Sequence, residues 1–244
     1  MSISLKTLLG GLLSPRYGII DHPPALNARL PRLLLSVALD TSSSMYGDPI
    51  AQVNKKLAEL VPELSQDAVA RDSMELQMVT FGGTVQVHPY VPVRDFSPPV
   101  LRAGGCTPMP EAMLFAMEET ERRKVFLESI EISVLVPHYF LLTDGAATSP
   151  PDVIELAGEA IHQIEERGGG AFYAFVTNQG ALDALQPLFP RKVQLLAGAN
   201  LAKFFRIISA SACSVSQTSV SPVSDLTPMI ERQLLITHES ERDA

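Results

Sequence analysis

Five oxygen-bearing side chains in three short stretches carry the chemistry of this chain. They are Asp40, Ser42 and Ser44 in D-T-S-S-S, Thr107 in G-G-C-T-P, and Asp144 in L-T-D-G. Carboxylates and hydroxyls with no His or Cys in the first stretch form a hard-oxygen ligand set, suited to Mg²⁺, Mn²⁺ or Ca²⁺ rather than Zn²⁺. By itself the D-x-S-x-S pattern is equally an ordinary cap, because Asp and Ser after a strand bond readily to nearby backbone. The reading as a cation site rests on all three stretches occurring together, each after a strand or before a helix.

The elements that must position these residues alternate along the chain. Leu33 to Leu39 is apolar with no period of two, as in a strand buried on both faces of a parallel sheet. Asp40 then falls at the carboxyl end of a central strand, where open α/β sheets bind ligands. Asp48-Pro49 reads as an N-cap acid followed by Pro at the first helical position, and Ile50, Val53, Leu57, Leu60 and Leu64 follow at helical spacing. Met74 to Phe81 and Thr84 to His88 flank Gly82-Gly83 as a hairpin, giving an antiparallel edge. Pro89 to Pro99 reads as a proline-rich surface connection. A helix after Thr107-Pro108 carries Met109, Ala112, Met113, Ala116 and Met117 on one face, which reads as a core stripe. Tyr139 to Thr143 is a buried strand, and Ser149-Pro150-Pro151 opens a helix with Ile154, Ala157, Ile161 and Ile164. A strand at Ala171 to Thr177, a short helix near Leu182, a strand at Val193 to Leu196 and a helix from Leu201 to Ala212 complete the pattern. This alternation predicts a doubly wound α/β fold with helices on both faces of a mostly parallel sheet. Helix starts after the first two loops also aim backbone N–H groups at the crevice, which favours an anionic ligand there.

Composition narrows the function classes. With 19 basic against 27 acidic residues the net charge is −8, and no Lys/Arg cluster occurs, so nucleic acid is not an expected partner. Cys106 and Cys213 cannot build a disulfide framework. The opening MSISLKTLLGGLL lacks a clear small-residue cleavage site, and no apolar run approaches the roughly 20 residues that span a bilayer, so a cytoplasmic protein is expected. Residues 1–31, with four prolines, read as an N-terminal arm, 32–213 as the domain, and 214–244 as a Ser-rich linker and polar tail.

The set D-T-S-S-S-M at 40–45, G-G-C-T-P at 104–108 and F-L-L-T-D-G at 140–145 resembles the metal-ion-dependent adhesion site of von Willebrand factor type A (VWA) domains, over about Arg32 to Ala212. The segments F-G-G at 81–83, D-F-S-P-P at 95–99 and P-H-Y-F-L-L-T-D-G at 137–145 are most similar to bacterial tellurium-resistance VWA proteins. The resemblance implies that Asp40, Ser42, Ser44, Thr107 and Asp144 surround one divalent ion. Ser42 and Ser44 would bind directly, and one position would stay open for an Asp or Glu of a protein partner. It further implies an adaptor in a stress-related setting, with kinase- or phosphatase-like proteins as partners. Two residues depart from the family pattern: Ser43 and Cys106 stand where glycine is usual. A side chain at either is expected to narrow the loop or restrict φ, with Cys106 itself a small buried filler.

Other readings are carried alongside. A phosphate-processing enzyme with Mg²⁺ at a strand-end Asp lacks the second Asp of D-x-D, since Ser42 stands there, and there is no G-K-[ST], G-x-S-x-G or strand-following G-x-G-x-x-G. Gly168-Gly169-Gly170 follows a helix and reads as a C-cap and turn. The five histidines are scattered and read as structural, with His138 the one nearest the third loop. A scaffold subunit with a disabled site is the remaining alternative.

Overall fold

The computed structural model describes residues 30–196 and 201–217. Six strands form one sheet in the order β3-β2-β1-β4-β5-β6, with β1 Leu33–Asp40, β2 Met74–Gly82, β3 Thr84–Pro92, β4 His138–Thr143, β5 Ala171–Val176 and β6 Gln194–Leu195. All pairings are parallel except β2 with β3. This is the doubly wound arrangement with one antiparallel edge. The helices are α1 Asp48–Gln66, α2 Ala68–Ser73, α3 Met109–Ser129, α4 Pro151–Glu166, α5 Gln179–Leu185 and α6 Leu201–Gln217.

Every residue of β1 is buried, because the sheet is covered on both faces. Leu33, Leu35, Val37 and Leu39 pack with Val53, Leu57, Leu60 and Leu64 of α1 and with Phe204, Phe205, Ile207 and Ile208 of α6. On the opposite face Ala38, Val79, Phe81 and Leu141 meet Met109, Met113 and Met117 of α3 and Ala157, Ala160 and Ile161 of α4. The methionine stripe is therefore core. The chain leaves β1 for β2 on one side and later pairs β4 on the other, so the strand order reverses between β1 and β4. The crevice at the carboxyl ends of these two strands is the expected ligand position.

Several local expectations change. The N-cap of α1 is Gly47, at φ +87°, and Asp48 is the first helical residue. β3 runs on through Pro89 to Pro92, so the proline-rich connection begins later than the prolines suggest. Two features permit this: β3 is an edge strand that needs no outer N–H donors, and the register slips between Leu76 and Met78, a bulge that absorbs Pro89. α6 extends through Gln217, past Ala212 and past the start of the Ser-rich stretch. Helix α2 had no distinct signal in the sequence. The arm at 1–31 and the tail beyond Gln217 lie, apart from Leu30 and Pro31, outside the described residues.

At the opposite ends of the strands from the crevice, Glu75 is wholly buried between two arginines. Arg123 of α3 binds it through both nitrogens of its fork, at 2.6 and 3.0 Å, and Arg32 Nε lies 4.0 Å away. Arg32 also donates to the carbonyls of Leu30 and Asp72. A buried carboxylate demands such partners, and the geometry ties α3 to β2.

Candidate functional site

The three loops converge at the carboxyl ends of β1 and β4. Asp40 ends β1 and is 1% exposed. Its Oδ1 accepts the Ser42 N–H at 2.7 Å, and its Oδ2 accepts the hydroxyl of Thr143, the last residue of β4. Ser42 Oγ lies 3.0 Å from Ser44 Oγ, and Ser44 Oγ donates to Asp144 Oδ1 at 2.6 Å. The structure thus brings Asp40, Ser42, Ser44 and Asp144 into one polar cluster. Burial pushes the Asp40 carboxyl above its ordinary value. Bonds from Ser42 and Thr143 oppose that shift, and repulsion from Asp144 adds to it.

Thr107 joins at one remove. Its Oγ1 lies 3.9 Å from where a Cβ on Gly145 would stand, next to the Asp144 turn. Among the described residues its hydroxyl forms no hydrogen bond with the other four. The Thr107 backbone is clamped to the third loop from both sides: its N–H donates to Thr148 Oγ1 at 2.9 Å, and the Thr148 N–H donates to its carbonyl at 3.1 Å. Helix α3 starts two residues later.

The first and second loops are held together by close backbone contact. Gly104 N–H donates to the Thr41 carbonyl at 2.8 Å, and Gly83 N–H to the Cys106 carbonyl at 2.8 Å. A Cβ on Gly105 would come within 2.4 Å of Gly83 Cα, and Gly105 has φ +78°. Only glycine permits both the approach and the conformation. The hairpin tip is therefore a buttress for the second loop as well as a turn.

The two departures from the family pattern resolve differently from expectation. Ser43 has no positive φ. Its N–H and its Oγ both donate to the Gly105 carbonyl, each at 3.0 Å, so the side chain staples the first loop to the second. Cys106 also has no positive φ, and it is exposed rather than a buried filler. Its Sγ sits 4.0 Å from the Gly83 carbonyl. His138, the first residue of β4, is buried with its ring edge-on to Tyr173, at the end of the strand away from the crevice loops.

Three positioning residues were not legible as such. Thr143 had a signal, a hydroxyl directly before Asp144 on a strand that neighbours β1. Thr148 and Asn178 had little. Asn178 caps α5 by accepting the Ala181 N–H at 2.9 Å, and its Nδ2 donates to the Asp144 carbonyl.

The donor set suits a hard divalent cation. Two carboxylates near enough to repel each other share hydroxyls that can rotate their protons away and present lone pairs. No group of three or more His, Cys, Asp or Glu occurs among the described residues, so any cation here depends on the serine and threonine oxygens.

No family model matches the chain, and no curated protein matches it in sequence. Solved structures do match its shape. The vWF domain of the type V pili tip protein Mfa5 from Porphyromonas gingivalis aligns with a TM-score of 0.55 at 11% identity, over 76% of this chain and 96% of that one. The PilB minor pilin from Streptococcus sanguinis aligns with a TM-score of 0.52 at 12% identity, over 77% of this chain and 62% of the pilin. Proximal thread matrix protein 1 from the mussel byssus aligns with a TM-score of 0.52 at 16% identity, over 75% and 48%. This chain therefore spans less than two thirds of the pilin and about half of the byssus protein. At these identities the likeness speaks to architecture, and the architecture of this chain is a VWA-like α/β fold.

Proposed function

We propose that the chain is a non-enzymatic protein-interaction module that takes a divalent cation, Mg²⁺ or else Mn²⁺ or Ca²⁺, at Asp40, Ser42, Ser44, Thr107 and Asp144. The observation that carries this reading is the junction of Asp40, Ser42, Ser44 and Asp144 in one cluster at the strand-order reversal. A cation there would neutralise the two carboxylates and accept a partner's Asp or Glu as a further ligand. The chain's own residues do the rest. Thr143 and the Ser42 N–H hold Asp40, Asn178 holds the turn of Asp144, and Ser43 with Gly105 sets the spacing of the first two loops. Adhesion and pilus proteins among the structural neighbours are consistent with an interaction role. The likeness of the 81–83, 95–99 and 137–145 segments to tellurium-resistance proteins points to a bacterial stress system with kinase- or phosphatase-like partners in the cytoplasm. No helix among the described residues is long and apolar enough to cross a membrane.

The test is calorimetric titration of Mg²⁺ and Mn²⁺ into wild type, Asp40→Ala and the shape-preserving Asp40→Asn, followed by affinity capture with and without EDTA. Saturable binding lost in both variants, with a prey protein released by EDTA, supports the module. Equal binding by wild type and Asp40→Asn refutes the assignment of the cation to this cluster.

A further inference from the structure

Beside the first loop lies a pocket of about 230 Å³ that the cation cluster does not use. Thr41, the residue between Asp40 and Ser42, lines one end. Thr80 of β2 and Gln86 and His88 of β3 line the sheet side, and the segment from Pro99 to Arg102 forms the opposite wall. The β2–β3 register explains the convergence, because Thr80 pairs with Gln86 and Met78 with His88. Side chains at 84, 86 and 88 alternate with Val85 and Val87, which turn to the α3 side.

Three properties describe the occupant. The lining contains an arginine and a histidine but no Asp or Glu, in a chain whose net charge is −8. No carboxylate of the lining therefore opposes a negative ligand. His88 Nε2 is buried and has no hydrogen-bond partner among the described residues, which leaves an unsatisfied polar atom on a lining residue. The volume falls below the roughly 300 Å³ at which pockets for drug-sized ligands begin, so a single acidic side chain suits it better than a large molecule.

The wall is preformed. Asn54 of α1 clasps Leu101 by both backbone groups, donating to its carbonyl at 2.9 Å and accepting its N–H at 2.7 Å. Two residues beyond Arg102, Gly104 joins Thr41, so the pocket wall runs directly into the second loop of the cation cluster. The two most exposed large apolar side chains among the described residues, Val100 at 83% and Tyr46 at 81%, stand on this wall and just after Ser44. They offer a partner apolar contact at the pocket wall and after the first loop.

We infer that this pocket receives a second acidic side chain of the partner whose first carboxylate meets the cation, with Arg102 pairing with the carboxylate and His88 hydrogen-bonding to it. The inference rests on the proposed function for the first of the two contacts, and the pocket itself needs no metal. The partner segment is thus an acidic peptide that reads the module at two points.

The test has two arms on the full chain. In EDTA, sodium acetate is titrated against matched sodium chloride while backbone and side-chain NMR signals are followed. Saturable shifts at Thr41, His88 and Arg102 are expected, weakened at least fivefold in Arg102→Gln. In saturating Mg²⁺, peptides acetyl-Glu-(Gly)n-Glu-amide with one to four glycines are compared with a single-Glu control. At least one spacer is expected to bind about tenfold tighter than the control, a gain of the kind linked contacts give, and to lose it in Arg102→Gln or Asp40→Asn. Acetate shifts that fail to saturate, or that Arg102→Gln leaves intact, overturn the pocket. Acetate saturation with no gain from any spacer overturns the two-point partner. If Mg²⁺ has no effect on any peptide while acetate still saturates the pocket, the cation reading fails and the carboxylate specificity of the pocket stands.

Discussion

Replacing Asp40 separates the carboxylate's proposed service to a cation from what it does for the fold. In Asp40→Asn the amide oxygen keeps the Ser42 N–H bond of 2.7 Å, and the amide nitrogen donates to Thr143 Oγ1. The Thr143 hydroxyl can turn its proton to the Gly145 carbonyl 3.2 Å away, so the Ser42 N–H and the Thr143 hydroxyl both keep partners. In Asp40→Ala the Ser42 N–H loses its acceptor, at about 1–3 kcal/mol for an unsatisfied buried group, and the Thr143 hydroxyl keeps only the Gly145 carbonyl. The metal-free order of stability is therefore Asn at or above wild type, and Ala below it. The sign with pH follows from the raised Asp40 carboxyl. Between its ordinary value of 3.8 and its folded value, the folded chain holds a proton that the unfolded chain has released. Wild-type stability contributed by this group is thus present at low pH and lost as pH rises through that interval, a slope absent in Asp40→Asn. Magnesium at 100 times its Kd adds about 2.7 kcal/mol to wild type, which at about 2–4 °C per kcal/mol raises Tm by roughly 5–11 °C, and adds nothing to either variant. Thermal and urea melts over a pH series that starts below 3.8 and ends at neutrality, with EDTA or Mg²⁺, read all of these quantities. An Asp40→Asn protein markedly less stable than wild type in EDTA would refute the account of a carboxylate held against its own desolvation.

Three further outcomes follow from other contacts. Arg123→Ala strips Glu75 of its bidentate partner in a fully buried position and should cost about 3–5 kcal/mol in urea melts, part of which Glu75→Gln in the same chain should restore. Gly105→Ala places a Cβ 2.4 Å from Gly83 Cα at a φ of +78°. It should cost about 1–3 kcal/mol and weaken Mg²⁺ binding by calorimetry, because the Ser43 staple moves with the Gly105 carbonyl. Asn54→Ala frees Leu101 on both backbone groups, and amide hydrogen exchange should quicken at Leu101 by about tenfold or more while the Leu57 amide in α1 keeps its protection.

What could be read from the chain was what local sequence controls. The buried strand to Asp40, the methionine face of α3 and the T-D-G ending of β4 each announce themselves within a dozen residues. Their order along the chain, combined with the rules for parallel sheets, is enough to bring Asp40 and Asp144 to one crevice. What was hidden depends on residues far apart. The prolines of β3 are tolerated only because a bulge and a sheet edge excuse their missing N–H groups, and nothing at 89–92 reveals which strand lies beside them. Glu75 breaks the apolar run of β2 and looks out of place until Arg123, 48 residues later, supplies the counter-charge.

Ser43 and Cys106 show how the same limit applies at the site. Judged by position alone, a side chain in place of glycine suggests strain, since glycine is the residue that tolerates positive φ. Where the hairpin tip and the second loop touch backbone to backbone, positive φ falls instead on Gly83 and Gly105. Relieved of that duty, position 43 is free to carry a hydroxyl, and the hydroxyl adds a second bond to the Gly105 carbonyl already held by its own N–H. The departure from the family pattern at 43 therefore stiffens the approach of the first two loops, and stiffer loops hold Ser42 and Ser44 at fixed spacing before any ligand arrives. Ser43→Gly should accordingly leave the fold intact and lower cation affinity through lost preorganisation. Tighter Mg²⁺ binding by Ser43→Gly in the same calorimetric titration would show that the serine narrows the site instead.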